Sequence, residues 1–216
     1  MRTDWIASRL PGRGRILDLG FAGEHSEAVH RELKDRLPGA YVIGLDLNAD
    51  RVRALGLPRT VIGDAFSLPF AAETFDALVV AEVLEHLPEP TLLLPELARV
   101  LKTGAPLVIT SPNPYELSRW LRHWLFATDA ARGPNVRGYL GNDDHKGFLE
   151  PLSFCDALRR NGLEPSALRT VKFHVPLLGR LLSRPIVLAG DTFLLNRLGA
   201  YLCIEARKRG GAAPAP

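Results

Sequence analysis

Short unbroken apolar runs alternate along this chain with longer stretches whose apolar residues recur every three or four positions, and that alternation predicts strands separated by helices. Trp5, Ile6 and Leu10 fall at near-helical spacing and predict a short amphipathic helix over 1–10, broken by Pro11-Gly12-Arg13-Gly14. Ile16, Leu17 and Leu19 read as a first buried strand, followed by a helix over Ser26–Leu37 that stops at Pro38-Gly39. Ala40–Asp46 is a second strand, and Asn48 is placed to cap a short helix over Ala49–Gly56. Thr60–Ala65 and Phe75–Val80 are the third and fourth strands. Pro90–Leu101 reads as helix, with Pro95 either straining its interior or marking a second start. The turn Lys102-Thr103-Gly104 leads to a fifth strand over Ala105–Thr110. A helix over Pro151–Asn161 is closed by Gly162, and strands follow over Leu163–Val171 and Ala200–Ala206.

Two stretches break the rhythm. Ser111–Asp144 is punctuated by prolines and glycines around an aromatic helical pattern, Tyr115–Phe126, and is expected to roof the substrate side. Phe173–Arg197 is apolar, with Arg180 and Arg184 interspersed. With no internal repeat and no long linker, the expectation is one domain over 1–209, carrying insertions at about 112–147 and 173–197, and a disordered small-residue tail at 210–216.

Composition narrows the classes. The chain has 216 residues, 46% of them hydrophobic and 24% charged, which is ordinary for a globular α/β domain with a proper core. A net charge of +3 is a mild bias, not a nucleic-acid signature. Cys155 and Cys203 lie far apart in apolar patterns without metal spacing and read as buried free thiols of a reducing compartment. No signal peptide and no spanning helix is expected, although 173–195 comes nearest.

The candidate chemistry gathers at strand ends. A regular α/β alternation implies a mostly parallel sheet with ligands at its C-terminal edge. Asp18, Asp46, Asp64 and the run Glu82, Glu85, His86 all fall there. Gly20 and Gly23 permit a tight turn after the first strand, the arrangement by which such folds hold a nucleotide-like ligand at a helix N-terminus. Asp46 lies 23 positions after Gly23, the distance at which an acid ending the second strand meets ribose hydroxyls.

Those motifs, in that order, resemble class I S-adenosylmethionine-dependent methyltransferases of the small type 11 that includes ubiquinone/menaquinone methylases. The resemblance spans about Ile16–Val171. It rests on Asp18 and Gly20, on Asp46, on Gly63-Asp64-Ala65 with Leu68-Pro69-Phe70, on Phe75-Asp76 with Val83-Leu84-Glu85-His86-Leu87, and on the turn Leu101–Ala105. Ala22 and Glu24 stand where the family has its second and third glycines.

The resemblance implies a Rossmann-like α/β fold: a seven-stranded, mostly parallel sheet, helices on both faces and an antiparallel last strand. It implies S-adenosyl-L-methionine as cofactor and methyl transfer to oxygen, nitrogen or carbon of a small or lipid-linked acceptor. Asp18 would help hold the cofactor's ammonium, with Gly20, Ala22 and Gly23 forming the turn beside it. Asp46 and its neighbour Leu47 would meet the ribose, Asp64 and Ala65 the adenine, and Glu82 the methionine end. His86 and His145 are the candidate bases, with a loop-ordering role as the alternative for each; Asn113 and Tyr115 are candidates for the acceptor pocket. No metal site is expected. A non-catalytic binding protein on the same fold and a nicotinamide-dependent oxidoreductase are the other readings. The protein is expected to be cytoplasmic, a monomer or homodimer, with peripheral membrane contact through 173–195 the sharper option.

Overall fold

The computed structural model describes residues 2–23, 26–116, 149–171 and 199–210. Most of both expected insertions, His145, the 173–195 segment and nearly all of the tail lie outside them. The described residues build one seven-stranded sheet with strand order β3-β2-β1-β4-β5-β7-β6. Its strands are β1 (Gly14–Leu19), β2 (Ala40–Asp46), β3 (Thr60–Ile62), β4 (Ala77–Ala81), β5 (Pro106–Pro112), β6 (Leu163–Val171) and β7 (Tyr201–Lys208). Neighbours from β3 to β5 pair in parallel, and β7 runs antiparallel to both β5 and β6.

Alternate residues of each central strand feed two apolar layers. Leu17, Leu19, Leu78, Val80, Leu107 and Ile109 point to one face, where they pack with Leu94, Leu97, Phe154 and Leu158. Ile16, Ala77, Val79 and Val108 point to the other, against Trp5, Ile6, Val29 and Leu33. Every residue of β4 is buried, which is why that strand reads as an unbroken apolar run. Helices α1 (Arg2–Ala7) and α2 (Ser26–Arg36) therefore cover one face, and α4 (Leu94–Val100) and α5 (Pro151–Arg160) the other; α3 (Ala49–Leu55) lies between β2 and β3 in the chain.

The local signals act as expected at most boundaries. The Asn48 side chain accepts the Arg51 N–H at 3.0 Å, and Gly56 ends α3 in the left-handed region at φ +57°. Pro95 marks a second start: a 3-10 turn over Pro90–Leu93 gives way to α4, with the proline in its first turn, where no N–H is needed.

Several strand bounds differ from the reading of the sequence, the first strand beginning at Gly14 and the last running over Tyr201–Lys208. The third stops at Ile62; the Gly63 N–H still donates to the Asp46 carbonyl at 3.0 Å, and a loop begins at Asp64. The fourth starts at Ala77: Asp76 turns aside to accept the Arg15 N–H and the Lys102 ammonium, leaving Phe75 in an isolated bridge to Leu101. The fifth extends to Pro112, held throughout by antiparallel pairing to β7.

Candidate functional site

The sheet reverses its strand order between β1 and β4, and at such a point the crevice beyond the C-terminal strand ends is the natural place for a ligand. On the β1 side, Asp18 is only 1% exposed. Its Oδ2 lies 2.9 Å from Nδ1 of His30, a residue of α2 that is itself fully buried. Burial pushes the Asp18 carboxyl above the usual carboxylate range, while the His30 contact works against that push.

The turn after β1 is shaped from within. Gly20 has φ +70°, and a Cβ there would come within 2.3 Å of Val83 Cγ2. The backbone conformation and Val83 thus both demand glycine. Ala22 departs from the family's glycine for a visible reason: its methyl is buried beside Phe21 and Val52. Its N–H donates to Asp46 Oδ2 at 3.0 Å. The Gly23 carbonyl accepts the N–H groups of Ser26 and Glu27, starting α2, and Ser26 Oγ donates to the Ala81 carbonyl at the end of β4. Glu24 and His25 lie outside the described residues.

Asp46 is half-buried at the end of β2, its Oδ1 accepting the Asn48 N–H at 2.8 Å. Both oxygens are thus oriented by backbone donors, and each keeps a further lone pair. Beside it Leu47 is 70% exposed, an unusual state for leucine. Past β3, exposed Asp64 accepts the Phe66 N–H at 2.9 Å; Ala65 packs on the core and Phe66 keeps 38% of its surface exposed. The loop is clamped from α4. Glu96 accepts the Leu68 N–H at 2.8 Å, and Arg99 donates to the Leu68 and Phe70 carbonyls at 3.0 and 2.7 Å.

Across the reversal point stands a second acidic group. Glu82 follows β4 directly with φ +56°, a left-handed conformation costly for a side chain with a Cβ. Its Oε1 accepts from Thr110 Oγ1 at 3.4 Å and lies 3.3 Å from the Arg2 guanidinium, which stacks over the Tyr201 ring at 4.8 Å. Glu85 is 4% exposed. Its Oε2 accepts from Ser111 Oγ at 3.2 Å, and its Oε1 is buried without a hydrogen-bond partner. Burial first, and the neighbouring charge of Glu82 second, push the Glu85 carboxyl up to about 8. Glu82 is raised as well by burial, with Arg2 opposing.

His86 sits half-buried in a 3-10 turn over Leu84–His86 beside this pair. Asn113, a candidate for the acceptor pocket, instead spends its amide on the Gly199 carbonyl at 2.6 Å and its Oδ1 on the Tyr115 N–H. Tyr115 is exposed. His145 is outside the described residues. Among those residues, no three metal-ligating side chains converge. No described helix is long and apolar enough to cross a membrane.

Sequence reasoning passed over Arg2, Ser111 and His30. For His30 a signal existed: Ser26, Val29, His30 and Leu33 share the buried face of α2, so a histidine stands within an apolar stripe. A cavity of about 910 Å³ opens at the opposite edge of the sheet, lined by Arg9, Lys102, Glu205 and Arg207 among others. It lies at the N-terminal strand ends and its charges are largely paired with one another, Arg9 and Arg207 with Glu205 and Lys102 with Asp76. The convergent acids are not there.

The chain is also similar to known proteins. Residues 17–109 match a family described as methyltransferase domain. A ubiquinone biosynthesis O-methyltransferase of Ralstonia nicotianae is 30% identical over 191 residues, covering 83% of this chain and 75% of that protein. One from Hahella chejuensis is 31% identical over 192 residues, covering 82% and 74%. Among solved structures, a SAM-dependent methyltransferase from Archaeoglobus fulgidus shares the fold with a TM-score of 0.66 at 20% identity, covering 96% of this chain and 91% of that one. The oxidoreductase and scaffold readings gain no support from these likenesses.

Proposed function

Since this chain belongs to the class I S-adenosylmethionine-dependent methyltransferases of the ubiquinone methylase type, we propose that it methylates a hydroxyl group of a small or lipid-linked acceptor. The residues fit S-adenosylmethionine. Carboxylates lie at or just beyond the ends of β1, β2 and β3, where an ammonium, a ribose diol and an exocyclic amine need acceptors, and exposed Leu47 and Phe66 offer apolar surface beside them. Asp18 takes the ammonium, directly or through water. Gly20, Ala22 and Gly23 shape the turn next to it, Asp46 and Leu47 meet the ribose, Asp64 and Ala65 the adenine, and Glu82 borders the methionine end.

The cofactor supplies an activated methyl group on a sulfonium, so the protein's task is to align a nucleophile and to remove its proton. The observation that carries the hydroxyl reading is Glu85, buried beyond the reversal point with one oxygen unpartnered. A hydroxyl placed there can donate to that oxygen. Above about pH 8, where Glu85 is ionised, its carboxylate would take the hydroxyl proton as the methyl group left the sulfonium for the hydroxyl oxygen. Glu85 displaces His86 as the favoured base; His86 and His145 remain secondary candidates. The relatives' role in ubiquinone biosynthesis makes a hydroxylated quinone precursor the first acceptor to try. A lipid-linked acceptor would draw the protein to the inner membrane surface from the cytoplasm, and 173–195 has the composition for that contact. Residues 1–209 act in this reading as one catalytic domain.

The test follows methyl transfer from labelled S-adenosylmethionine to hydroxylated quinone precursors and to simple catechols. Glu85→Gln should lower kcat by about 10²–10⁴-fold while leaving S-adenosylhomocysteine affinity unchanged. Transfer to amines alone, or full activity in Glu85→Gln, would refute the hydroxyl reading.

A further inference from the structure

The pair formed by Asp18 and His30 is the most thoroughly buried polar contact beside the site, at 1% and 0% side-chain exposure. A carboxylate out of reach of water needs a donor, and here the donor is an imidazole 2.9 Å away. The far side of that imidazole is informative. Nε2 of His30 is buried with no hydrogen-bond partner, and the Phe21 ring lies 4.8 Å off between centroids. An imidazolium would bury an unpaired N–H there. The neutral ring with its proton on Nδ1 leaves only an acceptor unmatched, at smaller cost. Among the described residues no lysine or arginine figures in the electrostatics of Asp18.

We propose that His30 is a positioning residue of the cofactor site: as a neutral Nδ1–H donor it fixes the Asp18 carboxylate beneath the glycine turn and leaves its negative charge free for the ammonium of S-adenosylmethionine. The inference rests on the reading of Asp18 as the ammonium's partner. A cationic side chain in place of His30 would hold Asp18 equally well but neutralise it. An apolar one would leave a carboxyl that burial already pushes toward protonation. Ser26, at the start of the same helix, donates to the Ala81 carbonyl at 3.0 Å, so α2 is tied to the sheet independently of His30.

Calorimetry of the full chain with S-adenosylhomocysteine tests this. His30→Leu keeps the bulk and removes the donor; it should weaken affinity by about tenfold or more, as expected for losing a hydrogen bond to a charged group. His30→Asn carries its amide nitrogen where the imidazole has Nδ1, and should restore affinity to within about threefold of the original protein. Equal losses in both variants would mark a packing role and overturn the inference. So would a His30→Leu protein that binds normally while Asp18→Asn binds weakly. An Asp18→Asn protein with undiminished affinity would instead remove the reading of Asp18 on which the inference stands. Should His30→Leu fail to fold, imidazole ¹⁵N spectra of the unaltered protein decide: the His30 signals should show the Nδ1–H tautomer and move when S-adenosylhomocysteine is added. The opposite tautomer, or signals indifferent to the ligand, overturns the proposal.

Discussion

Two buried carboxyls flank the crevice, and their neighbours set them apart. Asp18 has the His30 Nδ1 within 2.9 Å, whereas Glu85 has one hydroxyl at 3.2 Å, one bare oxygen and Glu82 nearby. The consequence for Glu85 can be read in stability. Folded, it keeps its proton up to about 8, while the unfolded chain releases it near 4.5. Between those values the folded state binds more protons, so stability falls as pH rises from about 4.5 to about 8 and is level outside that window. Glu85→Gln should therefore raise the thermal midpoint by several degrees at pH 8.5 and change it little at pH 4.5, as calorimetric scans at the two pH values would show. The cysteines form another residue-scale test. Cys203 is fully buried with its thiol pushed up to about 12, chiefly by burial and then by Glu82, and Cys155 is also buried and raised. Neither should react with a thiol reagent in the native protein, and both should react in denaturant. At Gly20 the left-handed backbone and the 2.3 Å approach to Val83 combine. Gly20→Ala should cost about 2–4 kcal/mol in urea unfolding, and Gly20→Ala with Val83→Ala should not recover the part due to φ.

Elements carry the site by fastening loops to rigid supports. The loop holding Asp64 and Ala65 is pinned by Glu96 and Arg99 of α4, through one accepted and two donated backbone hydrogen bonds. Arg99→Met should leave the sheet intact yet speed amide exchange over 64–70 and weaken S-adenosylhomocysteine binding by about threefold to tenfold, measurable by exchange mass spectrometry and calorimetry. Much at this scale was legible in the sequence. Asn48, Gly56 and Pro95 act through local backbone geometry, so their effects do not depend on distant partners. The acids at strand ends were legible too, because apolar runs end where buried strands emerge. What escaped were pairings between segments far apart in sequence. Asp76 leaves β4 for Arg15 and Lys102, His30 meets Asp18 across a helix–strand interface, and Arg2 reaches Glu82 from the N-terminal helix. Periodicity places a residue on a face but does not choose its partner. Glu85 stands apart from His86 for that reason: burial and Ser111, not position in the motif, distinguish them.

At the scale of the molecule, the crevice divides the labour of the sheet. Asp18, Asp46 and Asp64 belong to the β1–β2–β3 half, Glu82 and Glu85 to the half built from β4 onward. Filling the first half should stabilise the whole: S-adenosylhomocysteine at about 100 times its Kd should add about 2.7 kcal/mol to unfolding, seen as a shifted denaturant midpoint with an unchanged slope. The strand order has a further consequence, for synthesis. β7 is the last of the seven strands in the chain, yet it lies inside the sheet, between β5 and β6. A ribosome that has released β5 has left its hydrogen-bonding edge bare, and β6 has no neighbour to join until residues 201–208 emerge. At roughly 5–20 residues per second that wait is on the order of ten seconds. Throughout it, an apolar strand edge stays open to pairing with other nascent chains.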